Sequence, residues 1–152
     1  MAIATGTMTI TITESLDVGT TVMDTATSVA KTVTVNDIYK RVVSCPTSEI
    51  LLYDTHDSNV AGSTFDDDLV TYVRITNHDS SNYVILRVKN ADNDEFAYKL
   101  NAGESFLLWK HEATMNAATA ATIDIGTGWH DITSLKATAN SGACDLEIVI
   151  AS

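Results

Sequence analysis

The stretch YVRITNHDSSNYVILRV, Tyr72 to Val88, sets two runs of alternating apolar residues around a polar centre. In the first run Val73 and Ile75 oppose Tyr72, Arg74 and Thr76. In the second, Val84, Leu86 and Val88 oppose Tyr83, Ile85 and Arg87. Period-two alternation marks a strand with one face in a core and the other in water. The centre holds Asn77, His78, Asp79, Ser80, Ser81 and Asn82, residue types found in metal and catalytic sites and equally in turns. Asn, Asp and Ser close turns through hydrogen bonds from side chain to nearby backbone. His78 has no partner at metal-ligand spacing, so the centre reads as the turn of a hairpin.

The same alternation recurs along the chain. Met8, Ile10 and Ile12 oppose Thr7, Thr9, Thr11 and Thr13, and Val29, Val33 and Val35 share a face with Lys31. The run IYKRVVSC ends at Pro46, which cannot donate to a ladder. Phe96, Tyr98 and Leu100 oppose Glu95, Ala97 and Lys99; Cys144, Leu146, Ile148 and Ile150 oppose Asp145, Glu147 and Val149. NADND and NAGE separate strands with turn chemistry, and Gly103 is free to take a positive φ. Leu69 to Lys110 reads as a four-stranded meander. HEATMNAATAAT, His111 to Thr122, is the one helix candidate, but its apolar positions are mostly alanine and it reads as a long loop. DIGTGWHD is another loop. The expected fold is all-β, a single-domain antiparallel β-sandwich of jelly-roll type over residues 1–152. Residues 1–13 are expected to form an N-terminal strand or arm used in assembly contacts.

Twenty acidic residues against nine basic ones give a net charge of -11. That balance argues against nucleic acid as a partner, since phosphate binding needs a basic footprint, and equally against an anionic membrane. The N-terminal segment has neither a basic n-region nor a long apolar core, so neither signal peptide nor membrane anchor is expected, and folding is expected in a cytosol. Cys45 and Cys144 lie in or beside strands and read as two small buried hydrophobes. A disulfide between an early and a late strand is the other reading, and spacing alone does not supply the Cα separation it needs.

Each of the four histidines precedes an acid, at His56-Asp57, His78-Asp79, His111-Glu112 and His130-Asp131. Adjacent residues of an extended chain point to opposite faces, so one such pair does not chelate one ion. The acidic runs at Asp66 to Asp68 and Asp92 to Glu95 offer oxygen ligands for calcium. Counted as an EF-hand loop from Asp92, however, the required glycine and glutamate are replaced by Ala97 and Gly103. No G-x-S-x-G elbow, phosphate-binding glycine loop or CxxC pair is present. No catalytic residue, cofactor or metal is therefore expected. Trp109, Trp129 and Tyr72 are a candidate sugar-stacking platform, with Trp109 expected on a core-facing strand position and Trp129 in a loop. Trp129 with His130, and the uncharged segment carrying Met8, Ile10 and Ile12, are the candidate contact surfaces.

YVRITNHDSSNYVILRV, EFAYKLNAGESFLL and ITSLKATANSGACDLEIVIAS together resemble a group of small acidic β-domain virion proteins of tailed, particularly marine, bacteriophages. The likeness covers roughly the C-terminal half. It implies a structural part of the particle, either a decoration (cement) protein on the capsid exterior or a head-tail accessory. The implied partners are the major capsid protein, other virion subunits and further copies of the chain, and the implied location is the virion, after synthesis in the bacterial cytoplasm. The competing expectation is a carbohydrate- or receptor-binding module of a tail or fibre.

Overall fold

The computed structural model describes residues 5–14, 27–56, 65–66, 69–110, 112–113 and 129–152. They fall into two compact units, Met1–Asp37 and Ile38–Ser152. In the first, β1 (Gly6–Glu14) pairs antiparallel with β2 (Thr27–Val35). Threonine and β-branched residues dominate both strands, as suits a pleated ribbon.

The second unit contains β3 (Ile38–Cys45), β4 (Ile50–His56), β5 (Phe65–Asp66), β6 (Tyr72–Asn77), β7 (Val84–Asn90), β8 (Glu95–Leu100), β9 (Ser105–Leu108), β10 (Glu112–Ala113), β11 (His130–Ala139) and β12 (Cys144–Ala151). One sheet has the order β3-β12-β6-β9; the other runs β5-β4-β11-β7-β8, with β10 also on β11. The pairings are antiparallel except for the short parallel bridge between β4 and β5. The chain changes sheet between β3 and β4, β5 and β6, β6 and β7, β8 and β9, β9 and β10, and β11 and β12. That winding of the longer strands is the double Greek key of a jelly roll. The expected all-β sandwich is therefore the observed fold.

The pairing of neighbours differs from expectation. Tyr72 to Val88 is not a hairpin: β6 lies between β12 and β9, while β7 lies between β11 and β8 in the opposite sheet. Nor do β6 to β9 form a meander, for of the strands consecutive in sequence only β7 and β8 pair, and β6 pairs with β9. An Asn- and Asp-closed turn serves a step across the sandwich as well as a step along one sheet. Core closure favours the crossing, because Val73 and Ile75 then meet Val84, Leu86 and Val88 across one shared interior. Fully burying each such side chain contributes about 1.5–3 kcal/mol.

Two bulges fit the apolar pattern to that interior. Tyr53 pairs with Leu135 and Leu51 with Lys136, which leaves Leu52 as an extra residue, so that Leu52 and Tyr53 are both buried. On β11 the register against β7 shifts at Thr133, placing both Ile132 and Leu135 in the core.

Four connections, 46–49, 78–83, 101–104 and 140–143, gather at one end of the sandwich. Backbone hydrogen bonds run from the His78 amide to Asp145, Asn77 to Glu104, Gly103 to Asn77, Ala139 to Pro46 and Asn140 to Tyr83. Asp79 accepts from the Ser81 and Asn82 amides at 2.8 and 2.6 Å, and Asn77 Oδ1 accepts from the Asp79 amide at 3.0 Å. The expected turn chemistry is present, and Gly103 has φ 76°. The opposite end carries the β7–β8 turn and the start of β11.

Candidate interaction surfaces

In the ribbon, Met8 pairs with Val33, Ile10 with Lys31 and Ile12 with Val29. The three predicted β1 residues thus share one face with valines of β2, and the opposite face is threonine, serine and alanine. Met8, Ile10 and Ile12 are each half-buried, and exposure along β2 rises from 4% at Val35 to 63% at Val29. Lys31, and Glu14 at the end of β1, are the charged side chains on the apolar face. Among the described residues, each ribbon strand pairs only with the other, leaving a backbone edge on either side. A ribbon with free edges and half-covered apolar residues can take up an added strand or an apolar surface.

Trp129 and His130 belong to the second unit, so the predicted contact residues do not form a single patch within one unit. Trp129 precedes β11 and is 54% exposed. His130 starts β11, with its Nε2 2.8 Å from an Asp92 carboxylate oxygen in the β7–β8 turn. The amide of Ala91 donates to the carbonyl of Asp131 and ties that turn to β11. The tryptophan therefore stands beside an anchored imidazole-carboxylate pair.

Trp109 departs from its expected place. It follows β9 with its ring 5.5 Å from that of Tyr72, on the outer side of the four-stranded sheet, and not in the core. The alternation of SFLLWK explains this: Phe106 and Leu108 point inward, so Leu107 and Trp109 point out. The two tryptophans and Tyr72 do not build a common platform, because Trp129 lies at the start of a strand in the other sheet.

That outer face holds residues the sequence reading did not single out. Glu147, on β12, binds Lys40 of β3 at 3.2 Å and Arg74 of β6. Arg74 also donates to Thr76 at 2.7 Å, and Thr76 and Ser105 hydroxyls lie 2.8 Å apart. A polar ladder thus crosses all four strands. The Lys40 ammonium and then the Arg74 guanidinium hold the Glu147 carboxyl below the usual carboxylate range. Beside the ladder Val42 is 62% exposed and Ile38 51%. Their signal was present in IYKRVVSC, where Tyr39, Val43 and Cys45 take the inner face and leave Ile38 and Val42 outside. At the sandwich edge Tyr98 stacks on Phe106 across the two sheets at 5.2 Å, with Phe96 and Tyr98 partly exposed.

His78 is exposed, and the Asp79 carboxylate beside it is committed to the backbone turn. The amides of Asn82 and Ser81 hold the Asp79 carboxyl below the usual range, and the Asn101 side chain does the same for Glu104. Among the described residues, no three His, Cys, Asp or Glu side chains converge as metal ligands. Asp57, Asp67, Asp68, His111 and most of the alanine-rich 111–122 segment, with the side chains of His56 and Asp66, lie outside the described residues. No known protein-family model matches the chain, and no curated protein sequence matches it. The fold and its surfaces define an all-β jelly-roll protein whose other compact unit is a charge-poor β-ribbon with one apolar face.

Proposed function

We propose that the protein is a non-enzymatic structural subunit of a bacteriophage particle that decorates or cements the capsid exterior. The ribbon carries this reading: a charge-poor pair of strands with a half-covered apolar face, which among the described residues pair only with each other and form a compact unit of their own. A two-stranded ribbon is marginally stable alone, and cover from a neighbouring subunit would hold it. The jelly roll is a fold used by capsid proteins, although fold alone does not fix function. The partner is the major capsid protein or another virion subunit, and lattice-bound copies gain affinity from many weak contacts made together. Synthesis in the bacterial cytoplasm and residence in the virion follow from the same reading.

Purified particles should contain the protein in stoichiometric amounts by mass spectrometry, and its absence from them would sink the proposal. Ile10→Asp with Ile12→Asp should abolish retention on particles while leaving the thermal transition of the jelly roll in place. The exposed indole of Trp129 beside the His130–Asp92 pair favours a second reading, a carbohydrate- or receptor-binding module of a tail or fibre. Specific retention on a glycan array, lost in Trp129→Ala and kept in the ribbon variant, would select it over the first.

A further inference from the structure

Cys45 and Cys144 stand directly opposite one another in the antiparallel pairing of β3 with β12. Both are fully buried free thiols facing the same interior. Directly opposed residues in such a ladder have Cα atoms roughly 4.5–5.5 Å apart, inside the roughly 4.4–6.8 Å window of a disulfide. Their Cβ atoms lie roughly 4.5–5.5 Å apart, and a disulfide draws them to about 3.8 Å, so closure requires a local pinch. The position can supply it: β3 is the edge strand of its sheet, and Cys45 is its last residue, followed by Pro46. Each thiol now makes only a weak contact, Cys45 with the Pro46 carbonyl at 3.7 Å and Cys144 with that of Gly142 at 3.6 Å. Rotating them toward one another breaks no strong bond.

We propose that Cys45 and Cys144 are a reversible disulfide site that staples the first and last strands of the jelly roll when oxidised. The oxidant is a low-molecular-weight disulfide. One cysteine thiolate attacks it, forming a mixed disulfide and expelling one small thiolate. The other cysteine thiolate then attacks the protein sulfur, forms the Cys45–Cys144 bond and expels the second. The two cysteines are oxidised, the small disulfide is reduced to two thiols, and the cysteine protons end on those thiols. Burial, with the neighbouring Cys144 sulfur adding to it, pushes the Cys45 thiol up to about 11, and burial raises Cys144 as well. Exchange in the closed fold is therefore slow, and it proceeds through fraying of the β3 end or during folding. The bond closes a loop of about 100 residues, which puts the stapling effect at the upper end of what disulfides give. This inference does not depend on the assembly role.

The test is to refold the full chain from urea in a glutathione redox buffer and, separately, with dithiothreitol. The oxidised sample should lose both free thiols and give a non-reducing peptide that joins Cys45 to Cys144. It should melt about 10–15 °C above the reduced sample. Dithiothreitol should return it to the lower transition, and Cys45→Ser and Cys144→Ser should each show no oxidant-dependent shift. Two thiols still titrating after oxidative refolding, glutathione adducts without the linked peptide, or a linked form melting no higher than the reduced one would each overturn the proposal.

Discussion

Replacing Asn77 by alanine should destabilise the jelly roll by about 2–4 kcal/mol, although the residue touches no proposed contact surface. Asn77 ends β6, and its side chain is fully buried. Its amide nitrogen donates to the Asn82 carbonyl at 2.9 Å and to the Leu100 carbonyl at 3.3 Å, while its oxygen accepts from the Asp79 amide. The side chain thus ties the β6–β7 connection to the end of β8. Each bond contributes about 0.5–1.5 kcal/mol net, and alanine leaves all three partners behind. For a domain of this size the loss corresponds to a fall in melting temperature of about 10 °C. Urea denaturation followed by circular dichroism should show a lower midpoint with an unchanged slope. Asn77→Asp sharpens the test, since it keeps the acceptor and the shape but turns a carboxylate oxygen toward two carbonyls. The ionised form is disfavoured there, so the folded-state pKa of the new carboxyl rises above the ordinary value of about 3.9. The pH-dependent part of its penalty should be absent below that value, grow as pH rises toward the folded pKa, and be full above it. An Asn77→Ala variant within about 0.5 kcal/mol of wild type, or an Asn77→Asp penalty that ignores pH, would refute the reasoning.

Glu147→Gln should cost about 1 kcal/mol at neutral pH by weakening the bridge between Lys40 and Arg74. Because the folded-state pKa of Glu147 is depressed, its contribution is present above the ordinary glutamate range and is lost as pH falls through the folded value. Wild type and variant should therefore converge in acid, as paired urea titrations at several pH values would show. Gly103→Ala should cost about 1–2 kcal/mol through backbone strain alone, since φ is 76° and an added Cβ meets nothing within 4 Å. Gly103→Asn should recover part of that loss in thermal melts, because asparagine tolerates the left-handed region better than alanine.

Strand identity and facing were legible because burial imposes a period that survives in the side chains. Cys144, Leu146, Ile148 and Ile150 are all fully buried, as their alternation implies. Partnership between strands was not legible at Asn77 to Asn82. The signals there are local: Asn77 and Asp79 satisfy nearby amides in the same way whether the next strand lies beside β6 or across the core. What decides is the fit of Val73 and Ile75 against Val84, Leu86 and Val88, a property of the packed interior that no short window contains. Bulges hid part of the pattern as well, since Leu52 and Tyr53 are neighbours that both face inward. Of the predicted contact residues, Met8, Ile10 and Ile12 could be put on one face from their spacing. The polar ladder through Glu147 could not, because Lys40, Arg74 and Ser105 reach it only through the pairing of β3, β12, β6 and β9.

Charge gives a physical reason why the ribbon is the better candidate for the proposed assembly contact. Identical copies of a chain with net charge -11 repel one another when packed closely, and at physiological salt the screening length is about 8 Å. Direct contact is least opposed where charge is sparse. Residues 6–14 and 27–35 hold one acid, Glu14, and one base, Lys31, so the paired strands are neutral as a whole. The outer face of the four-stranded sheet is different in kind, because its valines border an ion-pair ladder that a partner would have to desolvate at a cost of several kcal/mol per ion. Binding through the ribbon should accordingly change little as salt is raised, whereas binding through the ladder face should weaken. The salt dependence of particle retention thus separates the two surfaces before any residue is changed.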